Sequence, residues 1–174
     1  GTTQSQDISF FQESGHDNYV FMQKSKSRKY IFIQSGNIGS NETYFADADD
    51  PGGELRLFTR RMNNLLYVTE HNGDMFYIHT NMDAKNWRVM VTPIDKSSIE
   101  NWTEFIPGKD NVKIEGFEVF RNHIEVIEKD YGLTKIRIIN LNDNKSHYVQ
   151  FPEDVYNAWP VNNEEYDTEF IRYN

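Results

Sequence analysis

Three groups of residues in this sequence have types and spacings suited to chemistry. Asp47, Asp49, Asp50 and Gly52 crowd carboxylates and a glycine into one short stretch, which is what a hard cation such as calcium wants. The register of a calcium loop fails, because Pro51 takes the fifth position and Phe58 stands where the bidentate glutamate belongs, so the stretch reads as an acidic turn. His71 and His79 lie near each other, while His16, His123 and His147 are scattered. Zinc needs three or four converging ligands, and no companion carboxylate stands at a diagnostic spacing, so all five read as surface or partly buried strand residues and no metal or cofactor site is assigned. Glu125, Glu128 and Asp130 include a pair flanking a turn, as an acid and base would, but glycoside hydrolysis needs two carboxyls facing across a cleft, which spacing alone does not supply.

Trp87, Trp102 and Trp159, with ten tyrosines, present the flat rings of a carbohydrate platform. They are equally the large aromatics that fill gaps between stacked sheets, and the core reading is preferred. Asn41-Glu42-Thr43, Asn101-Trp102-Thr103 and Asn144-Lys145-Ser146 fit the N-glycosylation pattern, which arises by chance in an asparagine-rich chain. With no cysteine, disulfides, thiolate ligands and a cysteine nucleophile are all excluded.

The elements that must position these residues are strands. Short apolar runs recur with period two, as in Tyr30–Ile33, Met75–Ile78, Ile124–Ile127 and Ile136–Ile139. Between them lie turn clusters, Asp49–Gly53, Asn72-Gly73-Asp74, Pro107–Asp110 and Asn142-Asp143-Asn144, rich in residues that tolerate positive φ. One helical turn is expected at Ser97–Trp102, opened by a serine cap. Hairpins are predicted from Phe76–Thr80 through Asn81–Asn86 to Trp87–Val91, and from Ile124–Glu128 through Lys129–Gly132 to Lys135–Asn140.

A repeat organises the strands. A polar turn leads into an apolar strand four times, with the strands beginning at Tyr30, Met75, His123 and Asp167, which stand 45, 48 and 44 positions apart. Repeats of about 40 to 50 residues containing several strands are what propeller blades look like in sequence. The expected fold is all-β, an incomplete propeller of about three and a half four-stranded antiparallel blades, forming one partial domain over residues 1–174. It begins part-way through one blade near Asp7–Phe11 and stops inside another at Phe170–Asn174. An open ring leaves blade faces uncovered, so self-association or marginal stability is expected.

Composition narrows the partners. Hydrophobic residues make up 37% of the chain and aromatics 14%, enough to fold, and the net charge of -9 repels a phosphate backbone, so no nucleic acid is expected. No apolar run approaches the roughly 20 residues that span a bilayer, so no membrane partner is expected, and the polar opening Gly1–Gln6 is no signal peptide.

Several stretches in series carry a resemblance: KSKSRKYIFIQSG from Lys24, NETYFADADDPGGELRLF from Asn41, EHNGDMFYIHTN from Glu70, AKNWRVMVTPID from Ala84, the run Glu100–Ile138, and FPEDVY from Phe151. In this order and spacing they resemble the N-terminal propeller of the prolyl oligopeptidase family, in its oligopeptidase B (protease II) branch. One departure is Gly108-Lys109 after Ile106-Pro107, where members often carry a histidine and a basic residue.

The resemblance implies a parent serine peptidase, cytoplasmic and bacterial, that cleaves short peptides after Lys or Arg. Its seven-bladed propeller would cap an α/β-hydrolase domain that holds a Ser, Asp, His triad. This chain has no Gly-x-Ser-x-Gly elbow to present such a serine, so no catalytic residue is assigned to it. The expected role is to gate short basic peptides and to pack on the catalytic domain. The alternative is a stand-alone propeller-like module that binds protein or carbohydrate.

Overall fold

The computed structural model describes residues 9–50, 52–153, 156 and 158–174. Asp7 and Ile8 of the expected opening, Pro51 of the acidic turn, and Asp154 and Val155 of the FPEDVY stretch lie outside them.

Three four-stranded sheets account for most of the chain, each an antiparallel meander whose strands pair in chain order. The first contains β1 (Tyr19–Lys24), β2 (Tyr30–Gly36), β3 (Asn41–Asp47) and β4 (Arg56–Thr59). The second contains β5 (Tyr67–Asn72), β6 (Met75–Thr80), β7 (Arg88–Pro93) and β8 (Thr103–Ile106). The third contains β9 (Val112–Val119), β10 (His123–Asp130), β11 (Leu133–Asn140) and β12 (Ser146–Tyr148). Each apolar strand of the repeat that begins at Tyr30, Met75 or His123 is thus the second strand of its sheet, flanked on both sides.

Both predicted hairpins form. Thr80 pairs with Arg88 to close the long β6–β7 turn. Asp130 pairs with Leu133 across Tyr131-Gly132, whose φ values of 47° and 84° belong to the left-handed region that a two-residue hairpin turn requires. The expected helical turn is a short 3-10 turn, Ile99–Asn101. Ser98 occupies its cap without a side-chain cap bond, its hydroxyl bonding the Glu100 carboxylate instead.

The middle sheet is covered on both faces, so β6 reads as a continuous apolar run and not as an alternation. Phe76, Ile78 and Met90 point to the first sheet and pack with Phe32, Phe45, Phe58, Tyr67 and Trp102. Tyr77 and Val89 point to the third sheet and pack with Ile106, Ile114, Val119, Ile124, Val126 and Ile139. Gly108 lies against this second layer. A Cβ there would stand 2.8 Å from that of Ala84 and 3.2 Å from the Trp87 carbonyl, so the departure from the family's usual residue permits a close approach of the two loops.

The fourth repeat departs from expectation. Residues 167–170 form bends, not a strand: Phe170 N–H donates to the Thr168 hydroxyl, whose own proton goes to the Phe170 carbonyl. Pairing resumes just beyond, where Pro160 bridges Tyr173 and Trp159 and Asn174 exchange backbone hydrogen bonds. At the other end, Ser9–Phe11 pairs with nothing among the described residues, and Phe11 packs on Tyr44 with ring centroids 5.1 Å apart.

Candidate functional site at the blade seams

The polar groups converge where β1, β5 and β9, the first strands of the three sheets, come to their ends. Between the first two sheets His71 is buried, contrary to the surface or partly buried position expected of it. Its Nε2–H donates to the Gly73 carbonyl at 2.9 Å, which leaves Nδ1 to accept the Ser27 hydroxyl proton at 2.6 Å. Burial holds the imidazole below its ordinary pKa, so it is neutral at pH 7. A serine donating to a neutral histidine is half of a hydrolytic arrangement. Here, though, a backbone carbonyl stands where a carboxylate would orient the base, and the Ser25 hydroxyl also engages Ser27 at 2.9 Å. The pair ties the turn after β1 to the turn after β5. It opens on a cleft of about 450 Å³ lined by Tyr30, Asp47, Asp49, Asp74, Arg121 and Tyr166, among others.

Beside it a charged group joins all three sheets. Lys26 follows β1, and its backbone N–H donates to Glu70 of β5 at 3.0 Å. Its ammonium meets Glu118 of β9 at 3.0 Å, bonds the Asn163 carbonyl of the C-terminal segment, and lies 4.6 Å from the Phe120 ring centroid. Glu70 also accepts the His71 N–H at 2.8 Å. Burial outweighs these two bonds and pushes the Glu70 carboxyl up to about 7.

The carboxylates flagged by sequence do not face one another across a cleft. Glu125 is fully buried, directly opposite Glu118 in the β9–β10 register, and neither of its oxygens has a hydrogen-bond partner among the described residues. Burial, reinforced by the Glu118 charge, lifts its pKa to about 7. Glu128 is also buried, with Arg137 at 2.6 Å and the Tyr148 hydroxyl donating to it at 2.7 Å. Asp130 is held by Lys135 at 2.6 Å.

Asp47, Asp49 and Asp50 are exposed, and the Asp49 N–H caps the Asp47 carboxylate at 2.8 Å within the turn. His79 is buried, a second departure from the surface expectation: Nε2 donates to the Ile114 carbonyl, the ring lies 4.5 Å from Trp87, and burial lowers its pKa to about 4. His16 and His147 are exposed and His123 is half-buried. No group of three or more His, Asp or Glu among the described residues is placed to hold a metal ion.

The three tryptophans share no surface. Trp102 is in the first core, Trp87 packs against the second, and Trp159 is half-exposed on the C-terminal segment. Asn41 is buried, and its side chain exchanges two hydrogen bonds with the Tyr67 backbone, so its glycosylation triplet is closed to modification in the folded chain. Sequence reasoning missed Lys26, Glu70 and Glu118. The one signal available was a charge beside each of three otherwise apolar strand ends, which looks the same as a solvated edge.

Comparison with known proteins places these sheets. The family model described as "Prolyl oligopeptidase, N-terminal beta-propeller domain" matches residues 1–174. Dipeptidyl aminopeptidase BI of Pseudoxanthomonas mexicana is 31% identical over 99% of this chain and 24% of its own length. Protease 2 of Moraxella lacunata is 28% identical over 97% of this chain and 24% of its own. Among solved structures, oligopeptidase B from Trypanosoma brucei, in a closed form with covalently bound antipain, superposes with a TM-score of 0.90 at 25% identity, over 99% of this chain and 26% of that one. The chain thus spans about a quarter of the length of the relatives it matches. Stacked four-stranded meanders matched along their whole length show that this chain belongs to the prolyl oligopeptidase family and is part of its N-terminal β-propeller domain.

Proposed function

We propose that this chain supplies part of the wall and gate of a serine oligopeptidase that cleaves short peptides after Lys or Arg, and that the cleavage is carried out by a separate α/β-hydrolase domain on which the propeller packs. The observation that carries this reading is the match of the whole chain to the propeller domain at about a quarter of each relative's length. The side chains agree with it. Among the described residues the serine and histidine that touch, Ser27 and His71, have no carboxylate hydrogen-bonded to them, and the buried carboxylates are engaged with cations or oppose one another. The charge of -9 favours basic peptides over acidic ones.

Rigid, close-packed blades exclude folded proteins while a flexible peptide passes, and contacts with the catalytic domain change as the enzyme opens and closes. The test is to loosen the seam between the first two sheets by Phe76→Ala in the longer peptidase chain and compare two substrates. Gating predicts that cleavage of a folded protein rises relative to that of a short Arg-Arg peptide. An unchanged ratio in a folded variant overturns it.

A further inference from the structure

The Lys26 group has more negative partners than positive ones. Glu118 and Glu125 stand opposite each other on adjacent antiparallel strands, where Cβ atoms are about 4.5–5.5 Å apart. From β11 the residue opposite Glu125 is the apolar Ile138, and from the C-terminal segment the group that reaches this cluster is the Asn163 carbonyl. Among the described residues the ionisable groups around Glu125 are therefore Glu118 across the rung and Lys26 from the end of β1, with Glu70 of β5 on the far side of Lys26. A fully buried carboxylate with no donor to either oxygen is costly when ionised, and the single ammonium nearby is already engaged by Glu118 and Asn163.

We propose that Glu125 is a proton switch for the propeller: protonated, it leaves Lys26 to clamp the first sheet to Glu118 and the C-terminal segment, and ionised, it competes with Glu118 for that ammonium and loosens the seam. The proton passes between the Glu125 carboxyl oxygen and water that reaches the partly exposed Glu118. Because its folded-state pKa is raised, to about 7, Glu125 binds a proton more tightly in the folded than in the unfolded chain. Its contribution to stability therefore falls as pH rises from about 4.5 to 7 and is flat beyond. Glu70 is displaced in the same direction but accepts two backbone N–H bonds that a proton would weaken, so the switch is assigned to Glu125.

The test follows the carbonyl stretch of a protonated carboxyl by infrared spectroscopy, and the unfolding equilibrium by urea, for the wild type, E125Q, E70Q and E70Q/E125Q between pH 5 and 8. In E70Q, which removes the other raised carboxyl, a band present at pH 6 and lost by pH 8 is the expected result, and the double variant E70Q/E125Q lacks it. With it, E125Q matches the wild type at pH 5 and exceeds it on the order of a hundredfold in folding equilibrium constant at pH 8. A band that survives in E70Q/E125Q, or a stability difference between the wild type and E125Q that is the same at every pH, overturns the proposal. Should E125Q not fold, K26M in the E70Q background decides, because loss of the ammonium must move the band's titration to higher pH and an unmoved midpoint contradicts the switch.

Discussion

The two ends of the chain's core are built on opposite principles. Between the first and second sheets the filling is aromatic: Phe76 lies 5.0 Å from Phe45, 5.2 Å from Phe58 and 5.3 Å from Tyr30. On the third sheet, Glu125, Glu128 and Arg137 are drawn into the interior and Lys26 reaches across to Glu118. The first seam gains from area and shape, which depend little on pH. The charged cluster on the third sheet spends desolvation energy on its ions, so its strength depends on which groups hold protons. A propeller that must be rigid in one place and responsive in another can obtain both from the same repeated blade.

The sharpest way to break this contrast is Phe76→Ala. It removes a ring at the centre of the aromatic seam and should cost about 3–5 kcal/mol at any pH from 5 to 8, measured by urea unfolding. Arg137→Ala attacks the other side by leaving Glu128 buried beside only the Tyr148 hydroxyl. A loss of about 3 kcal/mol is expected, whereas the paired change Glu128→Leu with Arg137→Met should recover most of it.

Next in size is the effect at His79. His79 is held neutral, its folded pKa of about 4 lying below the ordinary 6.5, so its contribution is present above pH 6.5 and is lost as pH falls toward 4. His79→Gln should flatten the acid side of the stability profile, and Glu125→Gln the neutral side. A calorimetric series from pH 4 to 8 separates them. The smallest effect belongs to Gly132→Ala, where φ is +84°, at about 1 kcal/mol and without pH dependence.

Much of the fold was legible because it is local. The turn residues Asn72-Gly73-Asp74 and Tyr131-Gly132 mark their hairpins, and the spacing of Tyr30, Met75 and His123 marks the blades. The fourth repeat misled because Asp167 and Thr168 look like the start of a strand, yet hydroxyl-to-backbone bonds at Thr168 hold a longer turn and the pairing falls at Tyr173. The sequence reads His71 and His79 as surface or partly buried, since nothing local shows that Ser27 and Ile114 lie against their rings. The Lys26 group was not legible at all. Its members are 44 to 137 positions apart, and only the stacking of three sheets brings them together.

On the proposed function, this chain is part of an oligopeptidase whose chemistry is performed by a separate domain. The most direct measurement is hydrolysis of a fluorogenic Arg-Arg substrate by the purified 174-residue chain, beside the longer peptidase chain proposed to carry it. The account predicts turnover by the longer chain alone, abolished by a serine-directed covalent inhibitor. Turnover by the 174-residue chain itself, surviving removal of contaminants and lost in Ser27→Ala or His71→Ala, would contradict it and make the Ser27–His71 pair a catalytic site.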